Sequence, residues 1–307
     1  MSKVDLSTSV GPLSLENPVM SAAGTSGHGA ELRGYIDLSE IGCIVVKSLA
    51  HFSWDGNPAP RIVGAGPGML NSVGLQGPGI DRWKREFLPD LVASGAKVII
   101  SVWGQTIEDF ALARAAIEDL PDTVVAVEVN ISCPNIEDRS NMFAHSALAT
   151  HEVIKQFGGY RLPVFAKLSP NTHQLIEIAQ SAMDAGATGL TLVNTLLGMR
   201  IDTRTRRPSL GAFRGGLSGA SIRPVAVRSI YDVYEAIPNV PIIGVGGVST
   251  GLEAIELVLA GASAVEVGTA TFVEPRAMAR VLAEIEQWCE ENSVSAFSEL
   301  IGAAHGA

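Results

Sequence analysis

Eight short runs rich in β-branched and other apolar residues alternate with helical segments, and this alternation narrows the possible folds more than any other feature. The runs are VMSAAG (19–24), CIVVKS (43–48), AKVIISVWG (96–104), VVAVEVNIS (124–132), LPVFAKLS (162–169), GLTLVNT (189–195), VPIIGVGG (240–247) and SAVEVGTA (263–270). Near-continuous apolar character suits strands buried on both faces. Apolar residues recur at spacings of three and four in IEDFALARAAIEDL (107–120), QLIEIAQSAMDAG (174–186), GLEAIELVLAG (251–261) and ARVLAEIEQWCEEN (279–292), which predicts helices there. Ser94-Gly95-Ala96, Ala185-Gly186-Ala187 and Ala260-Gly261-Ala262 each join a helix end to a strand start, the glycine supplying the left-handed residue that stops a helix. The pattern predicts a (β/α)8 TIM barrel, with a doubly wound open sheet as the alternative.

Nothing in the 307 residues reads as a linker, so one domain over 1–307 is expected. A formal net charge of -10 argues against nucleic-acid or anionic-membrane partners, which need clustered Lys and Arg. The first residues, MSKVDLSTSVG, lack the apolar core of a signal peptide, and no apolar run is long enough to span a bilayer, so a cytoplasmic location is expected. Cys43, Cys133 and Cys289 show neither CxxC nor Cys/His ligand spacing, which argues against a disulfide framework or a zinc site, and no metal is expected.

Three strand-to-helix connections are long, 49–79, 133–150 and 196–218, and a barrel gathers all three on its C-terminal face, where active sites are built. Residues 4–18, VDLSTSVGPLSLENP, predict a small hairpin closing the opposite end. The residues that end the strands would converge on one mouth: Ala23-Gly24, Lys47-Ser48, Ser101, Asn130 to Cys133, Lys167 to Ser169, Asn194-Thr195, Gly246-Gly247 and Gly268-Thr269.

Glycine turns can simply be tight, but two of them after the seventh and eighth strands favour a phosphate, whose oxygens bare backbone amides can meet. GVGG lacks the GxGxxG spacing of a dinucleotide fingerprint. Lys47 and Lys167 end apolar strands, where an inward lysine needs an anion or an electron-rich ring, unless it snorkels to solvent. Asn71, Asn130, Asn135 and Asn194 both donate and accept, which suits a planar heterocycle with alternating C=O and N–H, although asparagine also forms turns. Cys43 and Cys289 read as small buried hydrophobes. Cys133 instead sits at a strand end, before Pro134 and among the amides, where it could act as nucleophile or as general base; the strand order places no histidine partner near it.

NISCPN (130–135), LNSVGLQGPG (70–79), AKLSPN (166–171), VNTLLGMRID (193–202), GGLSG (215–219), GVGGV (244–248) and VGTA (267–270) together resemble the class 1 dihydroorotate dehydrogenases, and NTLLGMRID with GGLSG is most similar to class 1B. The resemblance runs from about residue 10 to residue 275. It implies an FMN-containing barrel that oxidises dihydroorotate to orotate in pyrimidine synthesis. Cys133 matches the family's base, which takes the C5 proton while the C6 hydride passes to the flavin. Lys47, Asn71, Gly74, Leu75, Asn130, Asn135, Asn194 and Thr195 match its substrate contacts. Ala23, Gly24, Lys47, Ser48, Ser101, Asn130, Lys167, Val193, Gly219, Gly246, Gly247, Gly268 and Thr269 match its FMN contacts. Likeness to class 1B implies a partner subunit carrying FAD and a [2Fe-2S] cluster that passes electrons to NAD; fumarate, used by class 1A, is the alternative acceptor. A homodimer is also expected.

The chain departs from the family at Gly77, where asparagine usually follows GLQ, at Ser101, where asparagine is frequent, and after NISCPN, where IEDRSNMFAHSALATHE replaces a glycine-rich segment. A dihydropyrimidine dehydrogenase-type barrel binding uracil or thymine is a rival, but those resemble a version with histidine at position 135, so Asn135 favours orotate. An idle flavin- or phosphate-binding module is the other rival, and Cys133 with both lysines argues against it.

Overall fold

A computed structural model describes residues 4–132 and 142–306. All eight strands are present: β1 (Val19–Ser21), β2 (Ile44–Val45), β3 (Val98–Val102), β4 (Val124–Asn130), β5 (Val164–Lys167), β6 (Gly189–Leu192), β7 (Ile242–Val245) and β8 (Ala264–Val267). They pair in parallel in the order β1-β8-β7-β6-β5-β4-β3-β2. A parallel bridge between Met20 and Cys43, with Ser21 N donating to Cys43 O at 3.1 Å, joins β1 to β2 and closes the barrel. The open-sheet alternative is therefore set aside. Each strand is two to four residues shorter than its apolar run.

The helices are α1 (Ile80–Glu86), α2 (Leu88–Ala93), α3 (Ile107–Ala116), α4 (Ala147–Lys155), α5 (Leu175–Asp184), α6 (Arg223–Ala236), α7 (Gly251–Leu259), α8 (Ala270–Val273) and α9 (Ala277–Glu291). Capping boxes start two of them: Thr106 with Asp109 for α3, and Thr250 with Glu253 for α7, each satisfying amides that a helix end leaves unpaired. Cys289 is fully buried on α9, and Cys43 is fully buried where β2 begins, as small apolar side chains. None of the described helices is long and apolar enough to cross a membrane.

The N-terminal hairpin, Thr8–Val10 paired with Leu13–Leu15, seals the lower end. Its Val10, Leu13 and Leu15 pack with Met20, Val45, Ile99, Phe165 and Ile243 inside the barrel. Burying each such side chain stabilises by about 1.5–3 kcal/mol. At the upper end two of the long connections carry structure of their own. Segments of the 49–79 and 196–218 connections form a four-stranded antiparallel sheet, in the order Leu196–Gly198, Gly215–Gly219, Gly68–Asn71, Ile62–Ala65, with Asn71 opposite Gly216. The third connection supplies a short turn, Phe143–His145, leading into α4.

Candidate active site

The strand ends and the upper sheet enclose a cleft of about 570 Å³, a size usual for small-molecule sites. Ala23 and Gly24 after β1, Lys47 and Ser48 after β2, Asn130 of β4, Lys167 of β5 and Val193, Asn194 and Thr195 after β6 all line it. So do Gly246 and Gly247 after β7, Gly268 and Thr269 after β8, and Asn71, Gly74, Leu75 and Gly219 from the upper sheet and its loops. Ser101 is not among the lining residues; it is fully buried and hydrogen-bonded to the Ser48 hydroxyl at 2.9 Å. Cys133 and Asn135 lie outside the described residues, although Ser132, the preceding residue, lines the cleft.

Lys47 is a cation that lines the cleft. Among the described residues no carboxylate lies within ion-pair distance of its ammonium, and desolvation holds its pKa below the usual lysine value. Burial also depresses the neighbouring His28 imidazole to about 4, with the Lys47 charge adding to the effect and Glu31 opposing it. His28 is thus neutral at neutral pH.

Lys167 is placed differently from Lys47. Its Nζ lies 2.9 Å from Glu266 Oε2 and 3.2 and 3.3 Å from the two oxygens of Glu128, inside the barrel. Burial alone would lower the Lys167 pKa, but the two carboxylates outweigh it and hold it above the usual value. The anion that an inward lysine requires is therefore supplied in part by the chain itself. Sequence reasoning missed both glutamates, although each sits in the same tetrapeptide, Ala-Val-Glu-Val, at 126–129 and 264–267. A carboxylate at an otherwise apolar strand position was the available signal.

Hydrogen bonds tie this cluster to the cleft. Ser101 Oγ donates to Glu128 Oε1 at 3.1 Å and pairs with Ser48 Oγ; Asn130 Nδ2 donates to Ser48 Oγ at 3.3 Å, and Asn194 Nδ2 donates to Asn130 Oδ1 at 3.3 Å. Asn171, also missed, lines the cleft and pins the chain after β6, donating to Thr195 O at 2.9 Å and accepting from Leu197 N at 2.8 Å. His145 lines the cleft, and its buried Nε2 has no hydrogen-bond partner among the described residues; Cys133, for which no histidine partner is expected, lies outside them.

At Gly246 (φ +134) and Gly247 (φ +83) a Cβ would meet Ala226 Cβ at 2.7 Å and Arg223 Cβ at 2.6 Å, so side chains are excluded by α6 and the turn shows the cleft its backbone. Opposite, Gly74 (φ +72) and Leu75 (φ +60) are consecutive left-handed residues, a turn that carries Leu75 into the cleft; for a leucine this conformation is costly. Bare backbone after β7, the Lys47 ammonium, and the buried Ser72 and Ser132 hydroxyls, which have no partners among the described residues, fit a planar, phosphorylated ligand together with a small carboxylate. Among the described residues no group of three or more His, Cys, Asp or Glu is placed to hold a metal ion.

Comparison with known proteins gives one consistent result. The profile of the family described as Dihydroorotate dehydrogenase matches residues 5–288. A protein of Geotalea uraniireducens named "Dihydroorotate dehydrogenase B (NAD(+)), catalytic subunit" is 44% identical over 304 residues, covering 99% of this chain and 99% of that protein. Proteins of the same name from Desulforudis audaxviator (44% identical, 99% of this chain, 98% of that protein) and Desulforamulus reducens (42%, with 99% of each) are similarly close.

Proposed function

This chain belongs to the dihydroorotate dehydrogenase family, and on that premise we propose that it is the catalytic subunit of an NAD-linked enzyme oxidising dihydroorotate to orotate in pyrimidine biosynthesis. The observation that carries the reading is the convergence at one cleft of the Lys47 ammonium, without an ion-pair partner among the described residues, the oriented amides of Asn130 and Asn194, and the bare backbone turn after β7.

FMN is the cofactor whose shape and charge the cleft suits, and when bound it accepts the two electrons that leave C6 of dihydroorotate. Gly246, Gly247, Gly268 and Thr269 would hold its phosphate; Ala23, Gly24, Ser48, Asn130, Lys167, Val193 and Gly219 would border its ring. Ser101 would act from behind Ser48. Lys47 would pair with the substrate carboxylate, a charge-assisted contact strengthened by partial burial. Asn71, Asn130, Asn135 and Asn194 would hold the pyrimidine ring, with Gly74, Leu75 and Thr195 closing around it. Cys133, next in sequence to cleft-lining Ser132, would remove the C5 proton.

The relatives' name, a catalytic subunit linked to NAD(+), supports a separate partner for electron exit. That partner would carry FAD and a [2Fe-2S] cluster, since this chain's three cysteines are too dispersed in sequence to bind such a cluster. The catalytic chain would pair as a homodimer in a single-domain form, in the cytoplasm. Orotate formation by the isolated chain with NAD, with fumarate, and with NAD plus a co-purified partner tests the assignment. Turnover with NAD only when the partner is present is expected. Rapid turnover with NAD by the chain alone contradicts the partner, and turnover with fumarate alone moves the protein to the fumarate-reducing type.

A further inference from the structure

Beneath the cleft, three ionisable side chains are sealed in the barrel: Glu128 and Glu266 are each 1% exposed and Lys167 is 5% exposed. They come from three strands, β4, β5 and β8, and Glu266 reaches Lys167 from across the barrel, since β6 and β7 separate β5 from β8. Fully ionised, the cluster carries one net negative charge in a place where an uncompensated charge is expensive. One proton balances it.

The hydrogen bonds of the two carboxyls differ. Both oxygens of Glu128 accept bonds from Lys167, and Oε1 accepts another from Ser101, the pattern that favours an ionised carboxylate. Glu266 accepts from Lys167 at Oε2 only, its buried Oε1 meets no donor among the described residues, and a side-chain hydrogen bond with Glu128 raises the Glu266 pKa. A neutral carboxyl tolerates such an orphan far better than a carboxylate does. Burial, with Lys167 opposing and Glu128 assisting, pushes the Glu266 pKa up to about 8. Among the described residues no other charge relieves it. The flanking strands β1 (Val19–Ser21) and β7 (Ile242–Val245) carry no ionisable residue, Glu128 and Lys167 face it from across the barrel, and the Cys43 thiol near it is itself held above its usual range by burial.

We infer that Glu266 is a positioning residue holding one exchangeable proton under the cofactor site, so that Lys167 and Glu128 present a neutral pair to the cleft while the proton is bound and a net negative cluster once it leaves. The inference rests on the FMN reading above. A net negative cluster disfavours added electron density on a ring bordered by Lys167, so losing the Glu266 proton lowers the reduction potential of the bound cofactor.

The test is the midpoint potential of FMN in the holoprotein, followed from about pH 6 to about pH 10, for the wild type, Glu266→Gln and Glu128→Gln. The wild-type potential should fall more steeply with pH above about 8. In Glu266→Gln the added slope should vanish, leaving a line that meets the wild type at low pH and lies above it at high pH. Glu128→Gln leaves Glu266 as the sole carboxylate on Lys167, ionised throughout, and should also lack the steepening; it decides the matter if Glu266→Gln does not load cofactor. Parallel lines for wild type and variants overturn the inference while leaving the FMN assignment intact. A wild-type protein that binds no FMN overturns the functional reading itself.

Discussion

Asn194 donates from Nδ2 to Asn130 Oδ1 at 3.3 Å, joining the upper ends of two barrel strands through their side-chain amides. Each amide is oriented by further bonds: Asn194 Oδ1 accepts from Thr195 N at 2.8 Å, and Asn130 Oδ1 accepts from Ser132 N at 3.1 Å. The pair therefore meets a ligand already aligned, and little ordering is left for binding to impose.

Replacing Asn194 with aspartate turns a donor into an acceptor facing the Asn130 carbonyl and sets a negative charge beside an anionic ligand. Orotate affinity, read from the perturbation of the flavin spectrum, should fall by roughly tenfold or more, about 1.4 kcal/mol. Equal affinities for variant and wild type would remove Asn194 from the ligand site.

Lys47→Ala should weaken orotate binding by about 100-fold and uracil binding much less, because only orotate carries the carboxylate that the cleft-lining Lys47 ammonium can meet. Calorimetric titration with both ligands separates the outcomes. Similar losses for the two would show that Lys47 acts on the fold or the cofactor and not on the carboxylate.

Cys133→Ser exchanges a thiol for a much weaker base. Reduction of the flavin by dihydroorotate, followed by stopped flow at neutral pH, should slow by roughly 10² to 10⁴-fold while orotate binding persists. A rate equal to that of wild type would assign the proton to another group, for which His145 in the cleft is the first candidate.

The depressed His28 predicts a pH dependence of stability. Its pKa is about 4 in the folded protein against 6.5 for the free side chain, lowered first by burial and then by Lys47. Between these values the unfolded chain binds the extra proton, so stability is fully present above pH 6.5 and is lost as pH falls toward about 4. Urea unfolding at about pH 7 and about pH 5 should show a smaller acid loss for His28→Gln than for wild type. An identical loss in both would place the acid sensitivity elsewhere.

Much of this architecture can be read in the residues, for a physical reason. Strands buried on both faces must be apolar throughout, so runs such as VVAVEV and VPIIGV announce themselves, and barrel topology then sends every strand end to one face. That is why Lys47, Asn130, Asn194 and Gly246 can be grouped from the residues alone, and all four line the cleft. Contacts between distant segments could not. Asn71 pairs with Gly216 in the upper sheet through residues whose local pattern reads as loop, and Glu266 meets Lys167 only because the barrel closes around both. Ser101 was grouped with the cleft by its place at a strand end, yet it points to Glu128 and Ser48 in the layer below, a difference of depth that strand order does not encode.

The absorption spectrum of the purified protein before and after anaerobic addition of dihydroorotate tests the central claim most directly. A yellow protein releasing FMN on heating, whose long-wavelength flavin band bleaches with dihydroorotate but not with dihydrouracil, is the predicted result. A colourless protein, or a flavin band unchanged by dihydroorotate, would contradict the account.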